Sequence, residues 1–230
     1  MQAILLAGGL GTRLRSVVAD CPKVMAEVAG RPFLEHLLLR MARQGVRRVV
    51  MAVGYRRECI IDYIGSRWQG LDLAYSVEEE PLGTGGAIKQ ALSMADRSPC
   101  FVFNADTWVD LDLAAMLGQH LATGERLSMA IRRLDDVSRF GALELRQGRV
   151  VGFLEKDRSG PGAINAGVYL LQGDIFDGLG LPQRFSIETD FLMPQVGTLR
   201  PLAFEVHGDF IDIGVPEDYR RAQELFSHRV

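Results

Sequence analysis

The chain has little that would place it in a membrane or in an oxidised scaffold. None of its apolar runs approaches the roughly 18 residues that a membrane-spanning helix needs, and its N-terminus has no signal-peptide pattern. Its three cysteines, Cys21, Cys59 and Cys100, are widely spaced and odd in number, which favours reduced thiols over a disulfide framework. We therefore expect a cytoplasmic protein with no membrane partner.

An excess of basic charge and a metal-ligand spacing of histidines are also missing. There are 26 Lys and Arg residues against 29 Asp and Glu, and the formal net charge of −3 argues against a nucleic-acid groove. We interpret the histidines as structural or exposed; they are His36, His120, His207 and His228. Because the sequence also has no internal repeat and no low-complexity linker, we expect one domain over residues 1–230.

Hydrophobic periodicity predicts an α/β fold. In the first half, apolar runs typical of strands buried on both faces alternate with amphipathic helical segments, which indicates βαβ units and a parallel sheet. The predicted strands are residues 3–7, 49–53, 73–77 and 101–103, and the predicted helices are 33–43, 58–64 and 86–94. The second half adds strand patterns at 127–132, 141–145, 150–153 and 163–171, a turn at Gln147-Gly148, and helices at 187–196 and 216–226. We expect a mixed, mainly parallel central sheet with antiparallel additions.

A glycine-rich loop after the first predicted strand is the most specific local signal. It runs Leu6-Ala7-Gly8-Gly9-Leu10-Gly11-Thr12-Arg13-Leu14 and is followed by Pro22-Lys23. Glycines let the backbone come close to a ligand, and successive N–H groups can point at phosphate oxygens. Arg13 and Lys23 add two positive charges beside the loop, so we predict a polyphosphate-binding site.

The loop does not fit two better-known phosphate motifs. A P-loop needs Gly-Lys-Ser/Thr, whereas this chain has Gly11-Thr12-Arg13. The dinucleotide fingerprint needs a third glycine where Leu14 stands. A tight strand-to-helix turn with no ligand is the remaining alternative.

A second glycine-rich segment, Glu78-Glu79-Glu80-Pro81-Leu82-Gly83-Thr84-Gly85-Gly86-Ala87, leaves the strand predicted at 73–77 and enters a helix. We interpret it as the wall of a nucleobase site, because its glycines would let a flat ring approach the backbone. An acidic turn before a flexible helix start is the alternative.

One aspartate directly follows a predicted apolar strand, since Asn104-Ala105-Asp106 comes after residues 101–103. Ligand sites in open parallel sheets collect at the carboxyl ends of strands, and Mg²⁺ prefers one or two protein carboxylates completed by phosphate oxygens and water. Helix capping is the alternative role for Asp106, and we interpret Asp110, Asp112, Asp135 and Asp136 as solvated or capping residues.

In this order the motifs resemble the signatures of the sugar-1-phosphate nucleotidyltransferases. The resemblance rests on Gly-Gly-x-Gly-Thr-Arg-Leu with Pro-Lys, on the segment from Glu78, on Asn-Ala-Asp with Ala105 where the family has glycine, and on Asp-Ile-Gly-Val-Pro-Glu-Asp-Tyr ending at Tyr219. Glu155-Lys156 and Asn165-x-Gly167-x-Tyr169 match two further family motifs. The family implies a Rossmann-like, GT-A-like nucleotidyltransferase domain.

The resemblance also implies a role for each matching residue. Arg13 would hold the departing phosphates, Lys23 the attacking phosphate or the α-phosphate, and Asp106 and Asp212 the metal ion, Mg²⁺. Nucleotide contacts would come from Leu6, Ala7, Gly8, Gly9, Gly11, Thr12, Arg13, Glu78, Pro81, Gly83 and Thr84. Sugar and sugar-phosphate contacts would come from Lys23, Asn104, Glu155, Lys156, Asn165 and Gly167.

The residue type at position 78 bears on which base is bound. The family places a base-contacting side chain three residues before the proline, which here is Glu78, or Glu79 if the alignment slips by one. Guanine presents two adjacent donors, N1–H and N2–H, and a carboxylate accepts both. We therefore expect GTP and a sugar 1-phosphate as substrates.

Among the subfamilies, the strings at 76–86 and 210–219 most resemble the D-glycero-α-D-manno-heptose 1-phosphate guanylyltransferases, which serve bacterial surface-polysaccharide synthesis. Mannose-1-phosphate guanylyltransferases and glucose-1-phosphate cytidylyl- or thymidylyltransferases are the nearest rivals. A non-catalytic nucleotide-sugar sensor on the same fold is an alternative of another class. The oligomeric state, a homodimer included, stays open.

Overall fold

The computed structural model describes residues 1–9, 21–154 and 159–227. The strands, numbered in chain order, are β1 Gln2–Leu6, β2 Glu27–Val28, β3 Arg31–Pro32, β4 Arg48–Val53, β5 Arg67–Trp68, β6 Leu71–Val77, β7 Cys100–Asn104, β8 Thr107–Val109, β9 Leu127–Leu134, β10 Ala142–Arg146, β11 Arg149–Phe153, β12 Gly162–Leu171, β13 Leu202–Val206 and β14 Phe210–Asp212. The α-helices are α1 Phe33–Arg43, α2 Arg57–Ile64, α3 Gly83–Leu92, α4 Leu113–Thr123, α5 Met193–Leu199 and α6 Pro216–Ser227. A 3₁₀ turn covers Lys23–Met25 and a π-helical turn covers Ile187–Leu192.

Ten strands form one mixed sheet in the order β10-β11-β13-β9-β12-β7-β1-β4-β6-β5. Four strands of its first half are parallel, with β1 between β4 and β7 and with β6 beside β4, and the edge strand β5 is antiparallel to β6. The second half joins this core through β12, which is antiparallel to both β7 and β9, and β13 runs parallel to β9. The predicted α/β class, with a mixed sheet and antiparallel additions, is confirmed.

Alternation along the central strands divides the core between the two faces of the sheet. On β1, Leu5 belongs to the same core cluster as Leu34 of α1 on one face, whereas Ile4 belongs to the cluster of Ile88 of α3 on the other. Since successive side chains of a strand point to opposite faces, an apolar run buried on both sides is what a helix-covered parallel strand requires. Strand β4, Arg-Val-Val-Met-Ala-Val, is buried from Val49 to Val53 for the same reason.

The parallel core brings four chain segments to one edge of the sheet. Leu6 at the end of β1 is in register with Asn104 at the end of β7, and Ala52 and Ser76 pair one residue before β4 and β6 end. Carboxyl ends of parallel strands meet at the same edge. The glycine turn after β1, the acidic segment after β6 and the Asn-Ala-Asp motif after β7 therefore become neighbours.

Several elements were not predicted from the sequence. Helix α4 is one of them. Its N-cap is Asp112, whose carboxylate accepts from the Ala115 N–H, which confirms the interpretation of Asp112 as a capping residue. Strand β13 and the short β8–β14 ribbon were also not predicted, because a run of three to five residues gives little periodic signal.

Among the described residues, none of the helices combines the length and the apolar character that crossing a membrane demands.

The structure brings two cysteines together. The Sγ atoms of Cys21 and Cys59 are 3.8 Å apart, although 38 positions separate them in the chain. Cys100 is buried in β7, and burial raises the pKa of its thiol to about 12.

Two histidines are structural, since His36 lies within 2.8 Å of the Val28 carbonyl oxygen and His120 within 2.8 Å of the Ser128 Oγ.

Candidate active site

A cavity of about 530 Å³ lies at the carboxyl edge of the parallel strands. Its described lining comprises Leu6, Ala7, Gly8, Gly9, Lys23, Val24, Glu78, Pro81, Gly83, Thr84, Ala87, Asn104, Asp106, Asp212 and Gly214. Twelve of these fifteen residues were predicted as site residues, and the structure brings them together. Val24, Ala87 and Gly214 were missed, because small or apolar lining residues carry no chemical signal of their own.

At one end of the cavity, Glu78 lies directly against the glycine turn. A Cβ atom on Gly8 would fall 2.4 Å from Oε1 of Glu78, so a larger residue there would displace this carboxylate. Oε2 of Glu78 accepts a hydrogen bond from the Leu82 N–H at 3.0 Å. Burial raises the pKa of Glu78, and the Leu82 hydrogen bond opposes that rise.

The glycines after Pro81 leave room for another segment of the chain. A Cβ atom on Gly85 would fall 2.2 Å from the Phe185 ring, and one on Gly83 would fall 2.6 Å from the Phe185 carbonyl oxygen. On Gly86 it would fall 2.3 Å from the Gln183 carbonyl oxygen. On their Cβ sides these glycines leave room for the segment 183–185 of the chain itself. Their role beside a base stays a prediction, and Gly83 does line the cavity.

At the other end of the cavity, one ammonium group links two carboxylates. Lys23 Nζ donates to Asp106 Oδ2 at 2.9 Å and lies 3.7 Å from Asp212 Oδ1. The Lys23 side chain is only 12% exposed, whereas those of Asp106 and Asp212 are 41% and 36% exposed. The carboxylates therefore face the open side of the cavity while the lysine stem is buried.

The β8–β14 ribbon sets this geometry. Thr107 pairs with Asp212 across the ribbon, and the Ile213 N–H donates to the Asp106 carbonyl oxygen at 2.9 Å. Asp212 Oδ1 accepts from the Gly214 N–H at 2.7 Å, and a Cβ atom on Gly214 would fall 2.9 Å from Lys23 Nζ. The capping alternative for Asp106 is wrong, since strand β8 begins at the next residue.

The two aspartates form a suitable donor set for a hard divalent cation. Burial and the nearby charge of Asp106 raise the pKa of Asp212, and the charge of Lys23 opposes them. Two adjacent carboxylates that compete for one ammonium group have negative charge to spare for a second cation. Among the described residues no cluster of three or more metal-ligating side chains occurs, so any metal bound here would take its remaining ligands from phosphate oxygens and water.

The sugar-side residues lie behind Asn104. A Cβ atom on Gly167, whose φ is +74°, would fall 2.8 Å from Asn104 Nδ2, which explains a glycine there. Asn165 does not line the cavity; its Nδ2 donates to Tyr169 Oη at 2.6 Å and to Glu188 Oε1 at 2.7 Å. Glu188 was missed by the sequence analysis, since nothing in the local sequence ties it to position 165.

Five predicted site residues lie outside the described residues: Gly11, Thr12, Arg13, Glu155 and Lys156. His228 lies outside them as well. The roles of all these residues stay predictions.

The carboxyl edge of the parallel strands carries a glycine turn, a largely buried lysine and two carboxylates. These features are those of a protein that binds phosphorylated ligands. The chain belongs to the Nucleotidyl transferase family, whose model matches residues 2–228. Members of this family generally use a divalent metal ion.

Three individual relatives show which members of the family this chain resembles. The chain is 40% identical over 230 residues to D-glycero-alpha-D-manno-heptose 1-phosphate guanylyltransferase of Aneurinibacillus thermoaerophilus, covering 100% of both chains. It is 41% identical to the enzyme of that name from Campylobacter jejuni, over 95% of this chain and 97% of that one. The crystal structure of HddC from Yersinia pseudotuberculosis complexed with GMP-PN matches with a TM-score of 0.87 and 39% identity, over 98% and 99% of the two chains.

Proposed function

We propose that this protein transfers a guanylyl group from GTP to a sugar 1-phosphate and releases pyrophosphate. The preferred acceptor is D-glycero-α-D-manno-heptose 1-phosphate, and the product is a GDP-sugar for bacterial surface polysaccharide. Full-length similarity to two proteins named as guanylyltransferases of this sugar phosphate supports the choice of substrates.

The observation that carries the proposal is the arrangement of charge in one cavity. Glu78, an acceptor-only group suited to guanine, lies at one end, and Lys23, Asp106 and Asp212 lie at the other. A nucleoside triphosphate needs an acceptor for its base and positive charge for its phosphates, and the positive charge would come from Lys23 and from a divalent ion held by Asp106 and Asp212.

The chain's part in the reaction is positioning and charge neutralisation. A sugar phosphate is already anionic near neutral pH, because the second pKa of a phosphate monoester is about 6. Its oxygen can attack the α-phosphorus in line with departing pyrophosphate, with no Ser, Cys or His nucleophile. Lys23 supplies a fixed positive charge for the attacking phosphate or the α-phosphate, and the predicted role of Arg13 is to hold the departing phosphates.

Asp106 and Asp212 would hold the divalent ion, which we propose to be Mg²⁺. When bound, such an ion neutralises phosphate charge as it develops. A non-catalytic sensor would have no need of both carboxylates beside a buried lysine, which is why we favour an enzyme. The cytoplasmic location, the single domain over residues 1–230 and a homodimeric state stay predictions.

The test is a matrix of GTP, UTP, CTP and dTTP against heptose, mannose and glucose 1-phosphates, scored by Mg²⁺-dependent pyrophosphate release. We expect the highest kcat/KM for GTP with the heptose 1-phosphate. A preference for a pyrimidine triphosphate would refute guanylyl transfer. A preference for mannose 1-phosphate would refute only the acceptor, and no turnover with any pair would favour the sensor.

Asp106→Asn and Asp212→Asn serve as the controls in this assay. Each keeps the shape of the side chain and removes a charge, so turnover should fall on the order of a hundredfold, as for the loss of one electrostatic contact in other sites. Near-wild-type turnover of both variants in saturating Mg²⁺ would contradict the two-aspartate site.

A further inference from the structure

The segment from Phe185 to Glu188 connects the loop after Glu78 with strand β12. The Phe185 N–H donates to the Leu82 carbonyl oxygen at 3.0 Å, and the Gly85 N–H donates to the Phe185 carbonyl oxygen at 2.9 Å. The Ile187 N–H donates to Oγ1 of Thr84, which lines the cavity, at 3.0 Å. The next residue, Glu188, is thereby fixed close to the cavity wall.

Glu188 projects from the first turn of the π-helical stretch Ile187–Leu192. The turn is capped by Ser186, whose Oγ accepts from the Thr189 N–H. Short π-helical turns within helices frequently mark functional sites. Glu188 Oε1 accepts from Asn165 Nδ2 at 2.7 Å, although 23 positions separate the two residues.

This contact completes the hydrogen bonding of the Asn165 amide. Its Nδ2 donates to Glu188 Oε1 and to Tyr169 Oη, and its Oδ1 accepts from the Gly167 N–H at 3.0 Å. A carboxylate acceptor on one side and a backbone donor on the other allow only one orientation of the amide. Tyr169 is 1% exposed, so it cannot follow Asn165 if the amide turns.

We propose that Glu188 is a positioning residue for the sugar side of the site. It holds the Asn165 amide and, through it, the Asn165–Gly167 turn that backs onto Asn104 in the cavity wall. This inference rests on the proposed function and on the predicted sugar-side roles of Asn104, Asn165 and Gly167; of these three residues, Asn104 lines the cavity. Because the predicted contact to the base is made by Glu78 and not by Asn165, loss of Glu188 should weaken recognition of the sugar phosphate and not that of GTP.

The experiment compares Glu188→Ala and Glu188→Gln with the wild type on GTP and D-glycero-α-D-manno-heptose 1-phosphate. A hydrogen bond to a charged group is lost in Glu188→Ala, and we expect the KM for the sugar phosphate to rise about tenfold while the KM for GTP stays the same. Glu188→Gln keeps an acceptor oxygen for Asn165 and should restore most of the loss. An unchanged sugar-phosphate KM in Glu188→Ala, or equal rises in both KM values, would overturn the positioning role.

Asp190→Asn is the matched control, because Asp190 is an exposed carboxylate on the same turn and accepts from the Ser186 N–H. Its KM values should stay within about twofold of those of the wild type, since it does not contact Asn165. In an Asn165→Ala background, Glu188→Ala should add nothing. An equal rise in Asp190→Asn, or an additive effect in the double variant, would show that Glu188 does not act through Asn165.

A readout independent of turnover separates this proposal from the proposed function. In ¹⁵N NMR spectra, the Asn165 side-chain amide should be protected from hydrogen exchange in the wild type and lose about tenfold of that protection in Glu188→Ala. Unchanged exchange would overturn the inference even in an active enzyme. An inactive wild type with the expected exchange would refute only guanylyl transfer.

Discussion

Lys23 is the cation that Asp106 and Asp212 share, at 2.9 and 3.7 Å. Lys23→Met keeps the buried stem and removes the charge, so two neighbouring carboxylates would face each other without it. Breaking a buried ion pair by removing one partner is strongly destabilising, but these carboxylates are partly exposed and solvent screens them. We expect the free energy of unfolding at pH 7 to fall by about 1–3 kcal/mol, measured by urea unfolding.

The double variant Lys23→Met/Asp106→Asn tests the cause of that loss. Removing one negative charge should recover most of the lost stability, because the remaining repulsion disappears. Equal stability of the single and double variants would show that Lys23 acts by packing rather than by charge.

Glu78 is expected to decide the choice of base. Glu78→Gln exchanges one acceptor oxygen for a donor that faces a donor of guanine, a mismatch of roughly 1–3 kcal/mol or about five- to a hundredfold in kcat/KM with GTP. The ratio of kcat/KM for GTP over UTP should fall accordingly. Glu79→Gln is the control, since Glu79 is 78% exposed and pairs with Arg57 at 3.2 Å; its ratio should not move. A fall in Glu79→Gln instead would transfer the role to Glu79.

The same carboxyl should give GTP binding a pH dependence. Burial raises the pKa of Glu78 above the usual glutamate value, so its protonated form is favoured in the folded chain. Protonation removes an acceptor, and the affinity for GTP should therefore fall, as pH drops, at a higher pH than an ordinary glutamate would give. The folding contribution has the opposite sign: it is unfavourable above the folded-state pKa and is relieved as pH falls through it.

We would measure the dissociation constant for GTP in the wild type and in Glu78→Gln from about pH 4, near the ordinary pKa of glutamate, to about pH 8. The acidic limb of the wild-type profile should shrink in the variant, and the remaining limb should reflect Asp212, whose pKa is also raised. Superimposable profiles would exclude Glu78 as the titrating group.

The first turn of helix α3 can pack against Phe185 because Gly85 has no side chain. In Gly85→Ala the new Cβ would fall 2.2 Å from the Phe185 ring, and forcing atoms into a packed site costs typically about 1–3 kcal/mol. Gly118→Ala in α4 is the matched control, because Gly118 is exposed and nothing lies within 4 Å of its Cβ position. It should gain about 0.5–1 kcal/mol, as alanine does over glycine in a helix. Thermal unfolding of both variants checks the opposite signs, and a stable Gly85→Ala would contradict the packing account.

The local sequence pattern was sufficient to predict the boundaries of some helices and not of others. Helix α1, Phe33–Arg43, matches its prediction, because its apolar stripe and polar face repeat over three turns. Helix α3 begins at Gly83 rather than at 86, since its first turn is held by Phe185 and not by its own propensity. The predicted helix at 187–196 begins with a π-helical turn, which no spacing rule anticipates.

The C-terminal helix ties distant parts of the molecule together. Phe226 of α6 is 2% exposed, and its ring centroid lies 6.1 Å from that of Phe33 and 4.8 Å from that of Trp108. Phe226→Ala should lower the free energy of unfolding by about 3–5 kcal/mol, the usual cost of removing a buried phenylalanine. Phe226→Leu fills part of the space and should lose less. Similar Tm values for Phe226→Ala and the wild type would contradict this role.

If residues 1–230 are one domain, Phe226→Ala should shift a single cooperative transition. Circular dichroism and tryptophan fluorescence should then give the same midpoint in the wild type and in the variant. A variant that loses only part of the signal at the lower temperature would show that α6 belongs to a separately folding unit.

The sequence by itself determined the class of fold and the chemistry of the site. Periodicity distinguishes strands buried on both faces from amphipathic helices, and the segments after β1, β6 and β7 must meet because parallel strands end at one edge. Only the tertiary structure decided which groups touch. Lys23 lies between Asp106 and Asp212, the glycines after Pro81 make room for Phe185, and Glu188 holds Asn165. These contacts join residues 23 or more positions apart, and a local pattern carries no information about packing across such distances.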